Sequence, residues 1–194
     1  MTTLVREGQS SSVVFDMLCW ELIKSTCSKE CELIYFSPWV KNYSITSTWP
    51  SFSSNYIEIK NIQKISDLLI KLLKNSIKVT LVTKSEKTLR SEDFGDRNIR
   101  ESIEFHKKLT DAGATICFHP VNHGKFWITS ENTFVTSANA TTMGFSGLQG
   151  NLGTFASKID DDRYWNDTLE YSLDLISKCE NPDEYFSCEH YFSK

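Results

Sequence analysis

HGKFWITSENTFVTSAN, residues 123–139, is the stretch on which the fold turns. It holds two short apolar runs, FWI and FVT, parted by polar residues, and so reads as a strand, a connection and a returning strand. Strands are expected around 124–129 and 133–136. Side chains two apart on a strand share a face. His123 and Lys125 are therefore expected to project together, and Ser137 with Asn139. An imidazole, an ammonium, a hydroxyl and a carboxamide at one sheet edge would make a site for an anion the size of phosphate.

Upstream, helical and strand patterns alternate. Val13 to Lys29 places Val14, Leu18 and Leu22 on one face, an amphipathic helix with N-cap candidates at Ser10 to Ser12. ELIYF, 32–36, fits a buried strand that stops at Ser37-Pro38, because proline cannot donate to a ladder. Residues 41–56, rich in Ser, Thr, Asn and aromatics, read as a long loop, with a short strand near Tyr56 to Ile59. Apolar residues at 62, 65, 68, 69, 72 and 73 have helical spacing. IKVTLVT, 77–83, is a second buried strand, and the charged stretch 84–98 reads as an exposed loop. Residues 99–112 are helical with Gly113 as C-cap, and 114–118 form a third strand.

Downstream, 140–151 reads as a glycine-containing loop, 152–157 as a sixth strand, and 160–178 as a last helix with Asp160 to Asp162 near its positive N-terminal end. No internal repeat is found. This order predicts an α/β fold, a mixed sheet sandwiched between helices. One domain is expected over 1–194, with its core at about 13–158 and a C-terminal helix and tail at 159–194.

The 194 residues carry 21 Lys and Arg against 25 Asp and Glu, a formal net charge of −4. Such a surface does not attract polyanions in bulk, so contact with nucleic acid has to come from a local basic patch. A chain of this length builds a core without staples. The six cysteines include no CxxC pair and are expected as free thiols in a reducing compartment, with Cys27 and Cys31 placed to share a helix face. No basic region followed by an apolar run marks a secretory signal, and no window approaches the roughly 18 apolar residues of a membrane span. The expectation is a soluble cytoplasmic protein.

Other residues have two readings each. His119 precedes Pro120 and either caps a strand end or lines the site; His106 is expected on the outer face of its helix and His190 in the tail. Trp39, Trp49, Phe52 and Tyr56 either stack bases, form a dimer surface or pack the loop down. Lys84, Lys87, Arg90, Arg97 and Arg100 read as a solvated loop or as a phosphate-tracking edge.

The order helix, ELIYFSPW, helix, IKVTLVT, helix, GATICFHP, HGKFWITSENTFVTSAN resembles the phospholipase D superfamily over roughly residues 13–158. The signature of that family is His-x-Lys, an Asp five residues after the Lys, then Gly-Ser-x-Asn. His123 and Lys125 match its His and Lys, Ser137 and Asn139 its Ser and Asn, and Thr141, Gly144 and Phe145 its usual continuation. The resemblance implies a phospholipase D-like fold and a metal-independent phosphodiesterase without a cofactor. It implies that His123 attacks phosphorus to form a phosphohistidine, and that a second His, from a second copy of the motif, protonates the leaving oxygen. Lys125 and Asn139 would hold phosphate oxygens, with Ser137 in support. Ser37, Trp39 and Thr141 are further substrate-binding candidates.

This chain carries one copy of the motif. The resemblance therefore implies a homodimer with the site on its two-fold axis, as in the single-motif nucleases of the family. An ordinary imidazole titrates near pH 6.5, so one ring can attack while its twin donates a proton. A lysine ammonium suits the charge that develops on phosphate oxygens.

Three positions depart from the pattern. Ser130 stands where the family has Asp. Thr136 stands where it has Gly, with the spacing one residue short. Gly153, in Asn151-Leu152-Gly153, stands where it has the Glu that orients the nucleophilic His. By analogy with catalytic triads, loss of that acid lowers the rate on the order of 10⁴-fold unless Glu131 or a backbone carbonyl substitutes. A short, single-motif chain without a basic membrane-binding helix resembles the nuclease branch, so DNA or RNA is the expected substrate and no membrane contact is expected. The alternative is a catalytically degenerate domain that binds nucleic acid or a protein partner, and lipid phosphodiester chemistry is a third reading.

Overall fold

Strands in this chain are short and apolar on both faces, so they pair in the middle of the molecule with helices covering each side. The structure, a computed structural model, describes residues 2–5, 9–28, 30–45, 59, 62–141, 143 and 151–180. The strands are β1 (Thr3–Val5), β2 (Glu32–Phe36), β3 (Lys78–Thr83), β4 (Thr115–Phe118), β5 (Phe126–Thr129), β6 (Asn132–Thr136) and β7 (Gly153–Ser157). The helices are α1 (Ser10–Lys24), α2 (Ile65–Lys74), α3 (Glu86–Ser91), α4 (Asp96–Asp111) and α5 (Asp162–Ser177). One seven-stranded sheet runs in the order β1-β7-β6-β5-β2-β3-β4. Strands β2, β3 and β4 are parallel, and the remaining pairings are antiparallel. The mixed α/β sandwich expected from the sequence is the fold observed.

Alternation along the strands divides the core in two. Leu33, Tyr35, Val79, Leu81, Ile116, Phe118, Trp127 and Phe134 pack with Leu18, Leu22, Leu68, Leu72, Phe105 and Leu109 of α1, α2 and α4. Their neighbours Ile34, Phe36, Val82, Cys117, Phe126 and Ile128 pack with Trp165, Leu169 and Ile176 of α5. The β2–β5 register sets Tyr35 against Trp127 and Phe36 against Phe126. Both pairs stack, at 3.6 and 4.2 Å between ring centroids. A slip of one residue would exchange the two faces. At the outer margin, Glu180 N donates to Phe118 O (2.7 Å) and pairs the chain after α5 against β4. No helix among the described residues is long and apolar enough to cross a membrane.

Several expectations need correction. The first helix spans Ser10–Lys24, not 13–29; the turn that follows leaves Cys27 exposed and Cys31 buried, so they share no helix face. The stretch 84–98 is not a loop. Ser85 caps α3 by accepting from Thr88 N (3.3 Å), buried Leu89 anchors that helix, and α4 already begins at Asp96. His106 lies on the buried face of α4, edge-on to Phe118 at 5.9 Å, rather than facing outward. Gly113 follows the C-cap residue Ala112 and adopts φ +99°. Trp49, Phe52, Tyr56, Gly144, Phe145, Cys188 and His190, and most of the expected strand at Tyr56 to Ile59, lie outside the described residues.

Candidate active site

Because β5 runs antiparallel to β2, its first residue meets the carboxyl end of β2, with Phe36 opposite Phe126. The ends of β3, β4 and β6 and the start of β7 fall at the same margin. Backbone bonds lace the chains leaving it: Ser37 N to Val82 O (3.1 Å), His119 N to Thr83 O (2.9 Å), Thr136 N to Lys125 O (2.8 Å) and Ser137 N to Leu152 O (2.9 Å). The carboxyl ends of strands are where open α/β sheets form ligand crevices. His119 thus sits at a strand end, buried, with its Nδ1 lacking a partner among the described residues.

His123 and Lys125 precede β5 instead of lying on it, and a loop brings them together. Buried Asn122 donates from Nδ2 to Val82 O (3.2 Å) and accepts Gly124 N at Oδ1 (2.8 Å). A Cβ on Gly124 would come 2.7 Å from the Phe126 ring, so glycine is the residue that fits between the two candidates. Lys125 Nζ then donates to His123 O at 3.1 Å. Asn122 belongs to no motif in the sequence, and its partner Val82 is 40 residues away.

Lys125 has no carboxylate partner among the described residues. Burial, and then the charge of Lys84, pull its ammonium below the ordinary lysine range. Lys84 is itself buried directly after β3, with Nζ 2.5 Å from Glu92 Oε1 and N donating to Pro38 O at 3.3 Å. It is therefore not the solvated loop lysine expected above. Its position one residue past a buried strand was the signal that could have found it.

The other candidates divide by how their polar atoms are occupied. Ser137 Oγ bonds with Asn151 Oδ1 (3.1 Å) and accepts Leu152 N (3.1 Å), which ties the end of β6 to the start of β7. Asn139 Oδ1 is buried without a partner among the described residues. Ser37 Oγ donates to Trp39 O (2.7 Å) and accepts Ala140 N (3.1 Å), so its hydroxyl holds the 37–41 and 137–141 segments together. Trp39 meets Phe94 edge-on at 5.1 Å, and Thr141 is buried beside it in a shared cavity wall.

Each departure from the family pattern has a local physical account. Ser130 lies at the opposite end of β5, where Oγ donates to Glu21 Oε2 (2.9 Å) while Glu32 N donates to Glu21 Oε1 (3.1 Å). Fully buried Glu21 of α1 thus supplies a carboxylate to the corner where the motif would place its Asp. Glu131 is bound to Lys24 at 2.5 Å in that same far corner and is not the stand-in acid for His123. Thr136 Oγ1 donates to Leu152 O (3.2 Å) and accepts Ala138 N (3.1 Å), a small cap that glycine could not make. At Gly153 an added Cβ would lie 2.4 Å from the Phe134 ring, so that ring fills the space a longer residue would need.

No protein-family model and no curated protein matches the sequence. Solved structures do match the fold. A phospholipase D family member, Nuc from Salmonella typhimurium, aligns with a TM-score of 0.57 at 12% identity, over 93% of this chain and 96% of that one. NucT from Helicobacter pylori aligns with a TM-score of 0.56 at 13% identity, over 92% and 97%. Polyphosphate kinase from Porphyromonas gingivalis aligns with a TM-score of 0.53 at 11% identity, over 93% of this chain and 26% of that one. The chain has the phospholipase D-like fold, the fold that the His123–Asn139 motif implied.

Proposed function

We propose that the chain is a metal-independent phosphodiesterase that cleaves nucleic acid at a site shared by two copies. The observation that carries this reading is a half-buried Lys125 ammonium, without a carboxylate partner among the described residues, held against the His123 loop. Such a field draws a phosphate to the exposed imidazole and offsets the charge of a pentacoordinate phosphorus. His123 attacks phosphorus, and the bond to the leaving oxygen breaks as the partner subunit's His123 gives that oxygen a proton. Water then attacks the phosphohistidine, loses a proton to the partner's His123, and displaces the first ring. Lys125 and the Asn139 carboxamide hold the non-bridging oxygens, and Ser137 fixes the segment that carries Asn139. The His123–Asn139 motif supports the chemistry, and the fold shared with Nuc, a phospholipase D family member, agrees with it.

Labelled single- and double-stranded DNA and RNA in excess chelator test this. Cleavage is expected, and His123→Ala is expected to abolish it. No cleavage by the wild-type chain, or cleavage that survives in His123→Ala, would refute the assignment.

A second reading has its own support. The His123 ring has no acid beside it among the described residues, and Phe134 fills the space at Gly153. A domain that grips phosphodiesters or a protein partner without cutting them fits these facts. Retained binding with no cleavage in the same assay would establish it.

A further inference from the structure

Beside the His123 margin lies a cavity of about 380 Å³ that the cleavage steps leave unused. Trp39, Phe105 and Met143 give it apolar walls, and Lys41, Glu101 and Glu104 its charge. Its place relative to the phosphate site follows from the backbone. Val40 bridges Ala140 in parallel, Lys41 N donates to Ala140 O (3.0 Å), and Thr141 N donates to Asn139 O (2.8 Å) in a three-residue turn. Trp39 and Thr141 therefore stand two residues beyond Ser37 and Asn139, a step of about 7 Å or less along the chain.

Most of the charge in the cavity is already paired. Lys41 Nζ lies 2.5 Å from Glu101, 2.7 Å from Asn98 Oδ1, and 5.1 Å from the centre of the Trp39 ring. Lys41 and then Arg97 hold the Glu101 carboxyl below its ordinary range, so that group is committed. Lys108, one turn beyond Glu104, reaches instead to Ser66 (2.8 Å) and Asp67 (2.9 Å). Two of the remaining polar groups bear on a guest. Glu104 has no donor or cation bound to it among the described residues, and the buried Trp39 Nε1–H has no acceptor.

An indole, a phenyl ring and a thioether accept a flat aromatic guest, and the exposed Glu104 carboxylate at the rim is an acceptor for N–H donors that such a guest brings. We infer that this cavity receives the nucleobase next to the bound phosphate and selects guanine through Glu104. Guanine offers two adjacent N–H groups on its Watson–Crick edge, and a carboxylate accepts such a pair with both oxygens. Uracil presents one N–H flanked by carbonyls, which the carboxylate repels. The inference rests on the phosphodiesterase reading above and adds base selectivity to it.

The full chain, isotopically labelled, is titrated with guanosine monophosphate, uridine monophosphate and inorganic phosphate and followed by NMR. The Trp39 indole N–H signal, assigned with Trp39→Phe, is expected to move with the guanine nucleotide. That nucleotide is expected to bind at least about tenfold more tightly than the uridine one, the discrimination of one bidentate base contact. Glu104→Gln is expected to bring the ratio to within about twofold. Equal affinities in the wild-type chain, or a preference that survives Glu104→Gln, would overturn the base assignment. Phosphate binding at the His123 loop without base preference would remove only this inference, whereas failure of phosphate and both nucleotides to bind would remove the phosphodiesterase reading as well.

Discussion

Gly153 and Phe134 show how one contact constrains chemistry at the scale of single residues. Added volume at 153 meets the Phe134 ring at 2.4 Å in a fully buried layer. Gly153→Ala is expected to lower stability by about 1–3 kcal/mol in urea unfolding, as overpacking does. Phe134→Leu in the same chain is expected to recover part of that loss; a double variant no more stable than Gly153→Ala would show that another contact is responsible. As candidates, His123, Lys125, Ser137 and Asn139 were legible in the sequence because the motif is one of residue type and short spacing. Asn122 and Lys84 were not. Asn122 matters through Val82, and Lys84 through Pro38 and Lys125, and those neighbours exist only once the strands are ordered.

Among the elements, α4 holds a test of the burial pattern. Ile99, Ser102, Phe105, His106 and Leu109 form its inward face, and burial pushes the His106 imidazole down to about 3. Above the ordinary value near 6.5 the ring is neutral in both folded and unfolded chains, and its contribution is complete. Below that, the unfolded chain takes up a proton that the folded one refuses. Stability is then lost by up to about 1.4 kcal/mol per pH unit as the pH falls from 6.5 toward 3. His106→Leu is expected to flatten the dependence of the urea midpoint on pH in this window by one proton, and an unchanged slope would place the acid sensitivity elsewhere. The helical spacing already put residue 106 beside 99, 102 and 109, but a polar type was read as facing outward. Glu21 carries the same lesson in α1. It lies beside Leu18 and Leu22 on the apolar stripe, and its burial was legible there, whereas its bond to Ser130 depended on the β5–β6 turn.

For the whole molecule, the alternation of apolar runs was enough to give the mixed sheet and its two helical layers, because only strands buried on both faces read that way. The order β5-β2-β3-β4 was not legible, since register and neighbour choice follow from contacts such as the Tyr35–Trp127 stack. The proposed chemistry makes one demand at this scale: two copies must meet at their His123 margins. Sedimentation at micromolar concentration is expected to give twice 22.3 kDa, and a monomeric mass under conditions of active cleavage would defeat the shared site.

The bond from Glu180 to Phe118 also bears on how copies can approach one another. It occupies a carbonyl on the outer rim of β4, and the opposite rim is β1, only three residues long. Among the described residues, neither flank offers a long run of unsatisfied amides on which another molecule could template itself. Polymerisation into fibrils by rim-to-rim accretion is thereby disfavoured.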